Sequence, residues 1–210
     1  MPVYIYPIIY SIIIAFGIFN YSKFKQNCYL KAFLFFLIYS FLTELTGTYV
    51  IRVLKIPSFF VYNTWVIASN IFYFLFFLSK IKELKLRKVS ISMLVIFVLF
   101  TVINILFFKN YFNESLIYIN ILGKILTSVI IMIYYTEVLK SNDLLYFQKS
   151  LFFWISIGVL LYNIGFVPVF IIAELIDFTG IFRYIAFALN IILSLCFITG
   201  FIVSKKEYNV

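Results

Sequence analysis

Seven apolar runs, each about 20 residues long and so able to cross a bilayer, occupy nearly the whole chain. They lie near 3–20, 30–54, 59–79, 89–108, 116–139, 150–174 and 180–203. With 65% hydrophobic and 22% aromatic residues over 210 positions, no soluble core of this size could bury the apolar surface. The expected fold is therefore all-α, a polytopic transmembrane bundle of about seven helices forming one integral membrane domain over 1–210. The longest polar stretch leaves no room for a separate catalytic or nucleic-acid-binding domain. The first run lacks a basic leader and a small-residue cleavage site, so it reads as a retained helix and not as a signal peptide.

The linkers orient the bundle. Lys23, Lys25 and Lys31 flank the first linker, and Lys80, Lys82, Lys85, Arg87 and Lys88 fill the third. Lys140 and Lys149 flank the fifth, and Lys205 and Lys206 follow the last run. The other side has only Arg52, Lys55, Lys109 and Arg183. Basic residues favour the cytoplasmic side, which predicts the N-terminus outside and the C-terminus in the cytoplasm of a bacterial inner membrane. The net charge of +9 thus serves orientation and anionic lipid headgroups, and direct nucleic-acid binding is not expected. The basic linker 80–88 is also the surface expected to meet a cytoplasmic protein partner. Apolar outer faces permit a homo-oligomer without requiring one. Between the second and third runs, Pro57 marks a hairpin in preference to a re-entrant turn, because both flanks are long enough to cross.

Two charges lie deep in apolar runs: Glu44 in the second and Lys124 in the fifth. A charge near the bilayer centre costs at least about 2.5 kcal/mol, so both should face the bundle interior. Counting the helical rise inward from the outer ends puts both at a depth of about 12 to 14 Å, and Asn70, Asn163 and Asn190 at about 15 to 17 Å. Five helices therefore contribute to one polar layer. Helical spacing agrees: Ser40, Glu44 and Thr48 share a face, as do Asn120, Lys124 and Thr127. Asn63, Asn70 and Tyr73 make a stripe on the third helix, and Arg183, Asn190 and Ser194 one on the seventh. The first and fourth helices have weaker stripes and should be the more lipid-exposed. The layer could serve permeation, or it could only join helices, and whether Glu44 and Lys124 pair is open at this point.

On the sixth run Trp154, Gly158, Tyr162 and Gly165 fall on one face and Ser156 and Asn163 on another. The glycines permit close helix approach, and Pro168 can kink the outer end. Glu174, Asp177 and Arg183 should form a solvated rim around the last outer loop.

The chain has no histidine. That removes Ser-His hydrolysis, histidine-zinc sites and imidazole catalysis. The cysteines, Cys28 and Cys196, have no paired spacing, and no glycine-rich phosphate loop occurs. No catalytic residue, cofactor or metal site is expected. The reading is a non-enzymatic accessory, sensor or effector, with two alternatives: a channel or transporter built on the Glu44/Lys124 layer, and a lipid-modifying enzyme using Glu44 as acid or base.

The stretches TELTGTYV (43–50), VYNTWVIASNIFYF (61–74) and FFWISIGVLLYNIG (152–165) together resemble a group of small multi-helix membrane proteins of the Bacteroidota. In size and character the chain is also similar to the transmembrane accessory proteins of type VI-B CRISPR loci, which accompany an RNA-guided RNA nuclease. That resemblance implies modulation of the nuclease or membrane-linked antiviral defence, and assigns no functional residue.

Overall fold

The computed structural model of the chain describes residues 5–140, 142–175 and 180–209. Asp177 lies outside these, as do the side chains of Glu174 and Arg183, so the expected outer rim is outside the described residues. Seven α-helices follow one another: α1 (Ile5–Phe19), α2 (Cys28–Tyr49), α3 (Phe59–Leu78), α4 (Leu84–Phe107), α5 (Ile117–Lys140), α6 (Leu151–Leu175) and α7 (Ile181–Val203). Six of them, α2 to α7, are long and apolar enough to cross a membrane. The described part of α1 is apolar and 15 residues long. No strand occurs among the described residues.

Pairing of side chains fixes the helix directions. From α2 to α3, partners rise on one helix as they fall on the other: Phe33 meets Phe76, Phe36 stacks on Phe72, Ser40 bonds Trp65 and Glu44 meets Tyr62. The Pro57 connection is therefore an antiparallel hairpin. α2 runs on as a π-helix over Val50–Leu54 and stops at Lys55, which takes the left-handed conformation (φ 55°). Pro57 could not have continued the helix, because it has no N–H to donate. Between α3 and α5 the order is the reverse, since Asn63 meets Leu116 and Asn70 meets Gly123, so these helices are parallel.

Helices α1, α2, α3, α5, α6 and α7 each touch the next and α7 returns to α1, while α4 touches only α3 and α5 among the extensive contacts. The result is a ring of six with α4 outside it. α4 is accordingly the least buried of the six long helices, at 22%. It also begins earlier than the expected 89, because Leu84, Lys85, Leu86, Arg87 and Lys88 are all good helix formers. Its first turn thus lifts the basic residues onto a helix. Their exposed side chains can extend toward water while their stems cover apolar surface.

The most extensive contact in the ring is α6 on α7. A Cβ at Gly158 would stand 2.9 Å from Cβ of Cys196, one at Gly200 2.6 Å from Cβ of Trp154, and one at Gly165 would overlap Leu189. Toward the basic end the ring is filled with aromatic rings. Phe33 sits against Phe72, Phe76, Phe197 and Phe201, and Phe76 stacks on Phe152 at 4.7 Å. Polar cavities lie near mid-bundle and at the basic surface.

Candidate functional site

At mid-bundle the structure separates the two deep charges. Glu44, half-buried on α2, accepts a hydrogen bond from the Tyr62 hydroxyl at 3.4 Å. Gly47 makes this possible, because a Cβ there would lie 2.6 Å from the Tyr62 hydroxyl oxygen. Lys124 on α5 is 6% exposed, and its ammonium lies 4.2 Å above the Tyr162 ring and 5.2 Å from the Phe166 ring of α6. The ring faces supply the negative potential that stabilises the ammonium. Among the described residues only Lys109–Glu114 and Lys140–Glu83 form ion pairs, so Glu44 and Lys124 do not pair.

Lys124, Asn70 and Asn163 line one cavity of about 30 Å³, with Ser40, Tyr10 and Tyr162 also at its wall. That is room for one or two waters. The neighbouring groups are largely committed: Asn70 donates to the Val66 carbonyl at 2.8 Å and Trp65 to the Ser40 hydroxyl at 3.0 Å. Gly123 lets α5 reach α3 here, since any Cβ would overlap the Asn70 amide. Glu44 does not line this cavity, and neither does Asn190, whose amide donates to its own helix at the Ala186 carbonyl (2.8 Å). The five-helix layer is thus three residues around a small cavity, plus two with separate surroundings.

α1, expected to be among the more lipid-exposed helices, also contributes Tyr10 to the cavity wall. Tyr6 and Tyr10 are one turn apart, a signal hidden by the apolar character of their rings. Asn63, expected in the same stripe as Asn70, works instead at the end opposite the basic linkers. Its amide nitrogen donates to the Tyr111 and Glu114 carbonyls, each at 2.8 Å, and its oxygen accepts from the Leu116 N–H at 3.1 Å. It pins the loop between α4 and α5.

At the basic end, several segments converge. The Lys80 ammonium lies 4.2 Å over the Phe152 ring. Burial, and secondarily Lys82, hold it below the ordinary lysine range. The Glu83 N–H, at the start of α4, donates to Glu137 of α5 at 2.7 Å, and Lys140 bonds Glu83 at 2.7 Å. A carboxylate at a helix N-terminus is favourable. Lys82, Lys85, Arg87 and Lys88 are exposed and make no ion pair among the described residues.

The C-terminal residues close this end. The Asn209 side chain accepts the Leu151 N–H at 2.8 Å and so caps α6, while Lys23 donates to the Phe201 and Ile202 carbonyls at 3.0 and 2.6 Å at the end of α7. Tyr208 stacks on Tyr146 at 5.4 Å.

Together, the helical ring and the length of its apolar helices define a multi-pass helical membrane protein. No family model matches the chain, and no curated protein or solved structure matches it.

Proposed function

We propose that this chain is a non-enzymatic accessory, sensor or effector of a bacterial cytoplasmic membrane, with its N-terminus outside and its basic end in the cytoplasm, coupled there to a protein partner. The observation that carries this is the run of exposed cations without ion pairs, Lys82, Lys85, Arg87 and Lys88, at the start of α4, the helix outside the ring. Unpaired surface charge contributes little to fold stability and is free to steer a partner of opposite charge. On the sequence resemblance, that partner is an RNA-guided RNA nuclease and the setting is antiviral defence. The test is to co-express the chain with such a nuclease and measure phage restriction, comparing wild type with the joint Lys82/Lys85/Arg87/Lys88→Gln variant at matched membrane levels. Wild type should alter restriction and the variant should not. Restriction that ignores the wild-type chain removes the CRISPR-linked role, and a variant as active as wild type removes the interface.

A second reading, a small channel or transporter, is favoured by the Lys124 cavity with Asn70 and Asn163. Against it stand the cavity's size and the separate position of Glu44. Ion and dye permeability of cells expressing wild type or Glu44→Gln discriminates: a leak abolished by the substitution supports conduction, and no leak in either supports the accessory reading. The lipid-modifying alternative rests on Glu44 as acid or base, with Tyr62 hydrogen-bonded to it.

A further inference from the structure

A second cavity is larger than the one at mid-bundle: a pocket of about 290 Å³ at the basic end, a size close to that of small-molecule sites. Lys80 and Lys82 reach it from the linker after α3, Glu137 from α5, Tyr146 from the α5–α6 connection, and Glu207 and Tyr208 from the C-terminal residues. Lys80 follows the last turn of α3 by two residues and lies on Phe152, the second residue of α6. The pocket therefore sits at the helix ends, at the level of lipid headgroups.

Its charges are of both signs and do not neutralise one another. Neither Lys80 nor Lys82 has an ion pair among the described residues, and neither does Glu207 or Glu137. Glu137 has one oxygen committed to the Glu83 N–H. A purely anionic ligand would meet two carboxylates here, and a purely cationic one two ammonium groups. A ligand with one phosphate and one ammonium matches both. The Lys149 ammonium already lies over the tyrosine rings, 4.5 Å from the centre of Tyr146 and 5.8 Å from that of Tyr208, which leaves the carboxylates as the partners for a ligand's ammonium.

We propose that this pocket binds a phosphoethanolamine-type zwitterion, with the phosphate at Lys80 and Lys82 and the primary ammonium at Glu207 and Glu137. The group can belong to an aminophospholipid headgroup or to a soluble phosphoamine. This goes beyond the accessory reading and does not depend on any protein partner.

The test uses the purified full chain in detergent, titrated with dioctanoyl phosphatidylethanolamine, dioctanoyl phosphatidylglycerol and soluble glycerophosphoethanolamine, with thermal unfolding as readout. Phosphatidylethanolamine should stabilise saturably and phosphatidylglycerol should not. Lys82→Gln and Glu207→Gln, both at exposed positions, should each weaken binding about tenfold, the loss of one charge-assisted contact. If glycerophosphoethanolamine alone gives the same saturation and the same pattern of losses, the soluble source is the ligand and the site stands. The proposal is overturned if phosphatidylglycerol stabilises as well as phosphatidylethanolamine, if both variants bind like wild type, or if no probe saturates. Glu207 lies outside the run assigned to a protein partner, so its effect separates this site from that interface.

Discussion

Replacing Asn63 by Leu should open the α4–α5 loop and destabilise the whole bundle. The amide is 3% exposed and holds three backbone groups: the Tyr111 and Glu114 carbonyls and the Leu116 N–H. Each hydrogen bond contributes about 0.5 to 1.5 kcal/mol net, and a buried donor left unpaired costs about 1 to 3 kcal/mol. The two loop carbonyls can turn to water once released, whereas the Leu116 N–H sits in a residue only 2% exposed. The expected loss is about 2 to 4 kcal/mol, dominated by that N–H. Equilibrium unfolding of the detergent-solubilised chain measures it. A cysteine placed at Phe112, in a Cys28→Ser background, should label faster with maleimide in the variant because the loop is no longer held. A stability change under about 0.5 kcal/mol with unchanged labelling would refute the reasoning, since that is the range of surface substitutions that break nothing.

Two further outcomes follow from contacts elsewhere. Gly200→Ala should cost about 1 to 3 kcal/mol of stability, because its Cβ would meet Cβ of Trp154, which cannot move without shifting α6; Gly165→Ala should cost less, because it meets the flexible end of Leu189. Parallel thermal unfolding of the two checks the order. Glu114 is held below the ordinary carboxylate range by its hydrogen bond from Lys109, with the Asn110 N–H second. Its contribution is therefore present above the ordinary glutamate pKa of about 4.3 and lost as pH falls through the depressed native value. Equilibrium unfolding of the wild-type chain should show stability falling on acidification below that range, and Glu114→Gln should flatten the dependence.

Much of the fold could be read from the residues. Apolar runs of spanning length set the helices, and basic linkers collected at one end. Pro57 with its long flanks gave the hairpin. Gly158 and Gly165 were legible as places where helices meet, though not which helix they meet. The start of α4 was not, because hydropathy marks where apolar residues begin while helix propensity carries the backbone further, through Lys85, Arg87 and Lys88. The polar layer was legible as a depth and not as an arrangement. Rise per residue places Glu44 and Lys124 at one height, but the side of the ring each faces depends on helix rotation and on neighbours far away in sequence.

The sequence by itself therefore determined that this chain is a helical membrane bundle, which end is basic, and which residues are too polar to face lipid, because these follow from composition and periodicity. Only the tertiary structure decided that Lys124 rests on the rings of Tyr162 and Phe166 instead of meeting Glu44, that Asn63 anchors a loop, and that Tyr10 from α1 reaches the cavity. It also decided that Lys80, Lys82, Glu137 and Glu207 surround one pocket. The physical reason is the same in each case: a partner supplied by another helix or by the chain end is chosen by packing, and packing joins residues whose separation along the chain carries no signal.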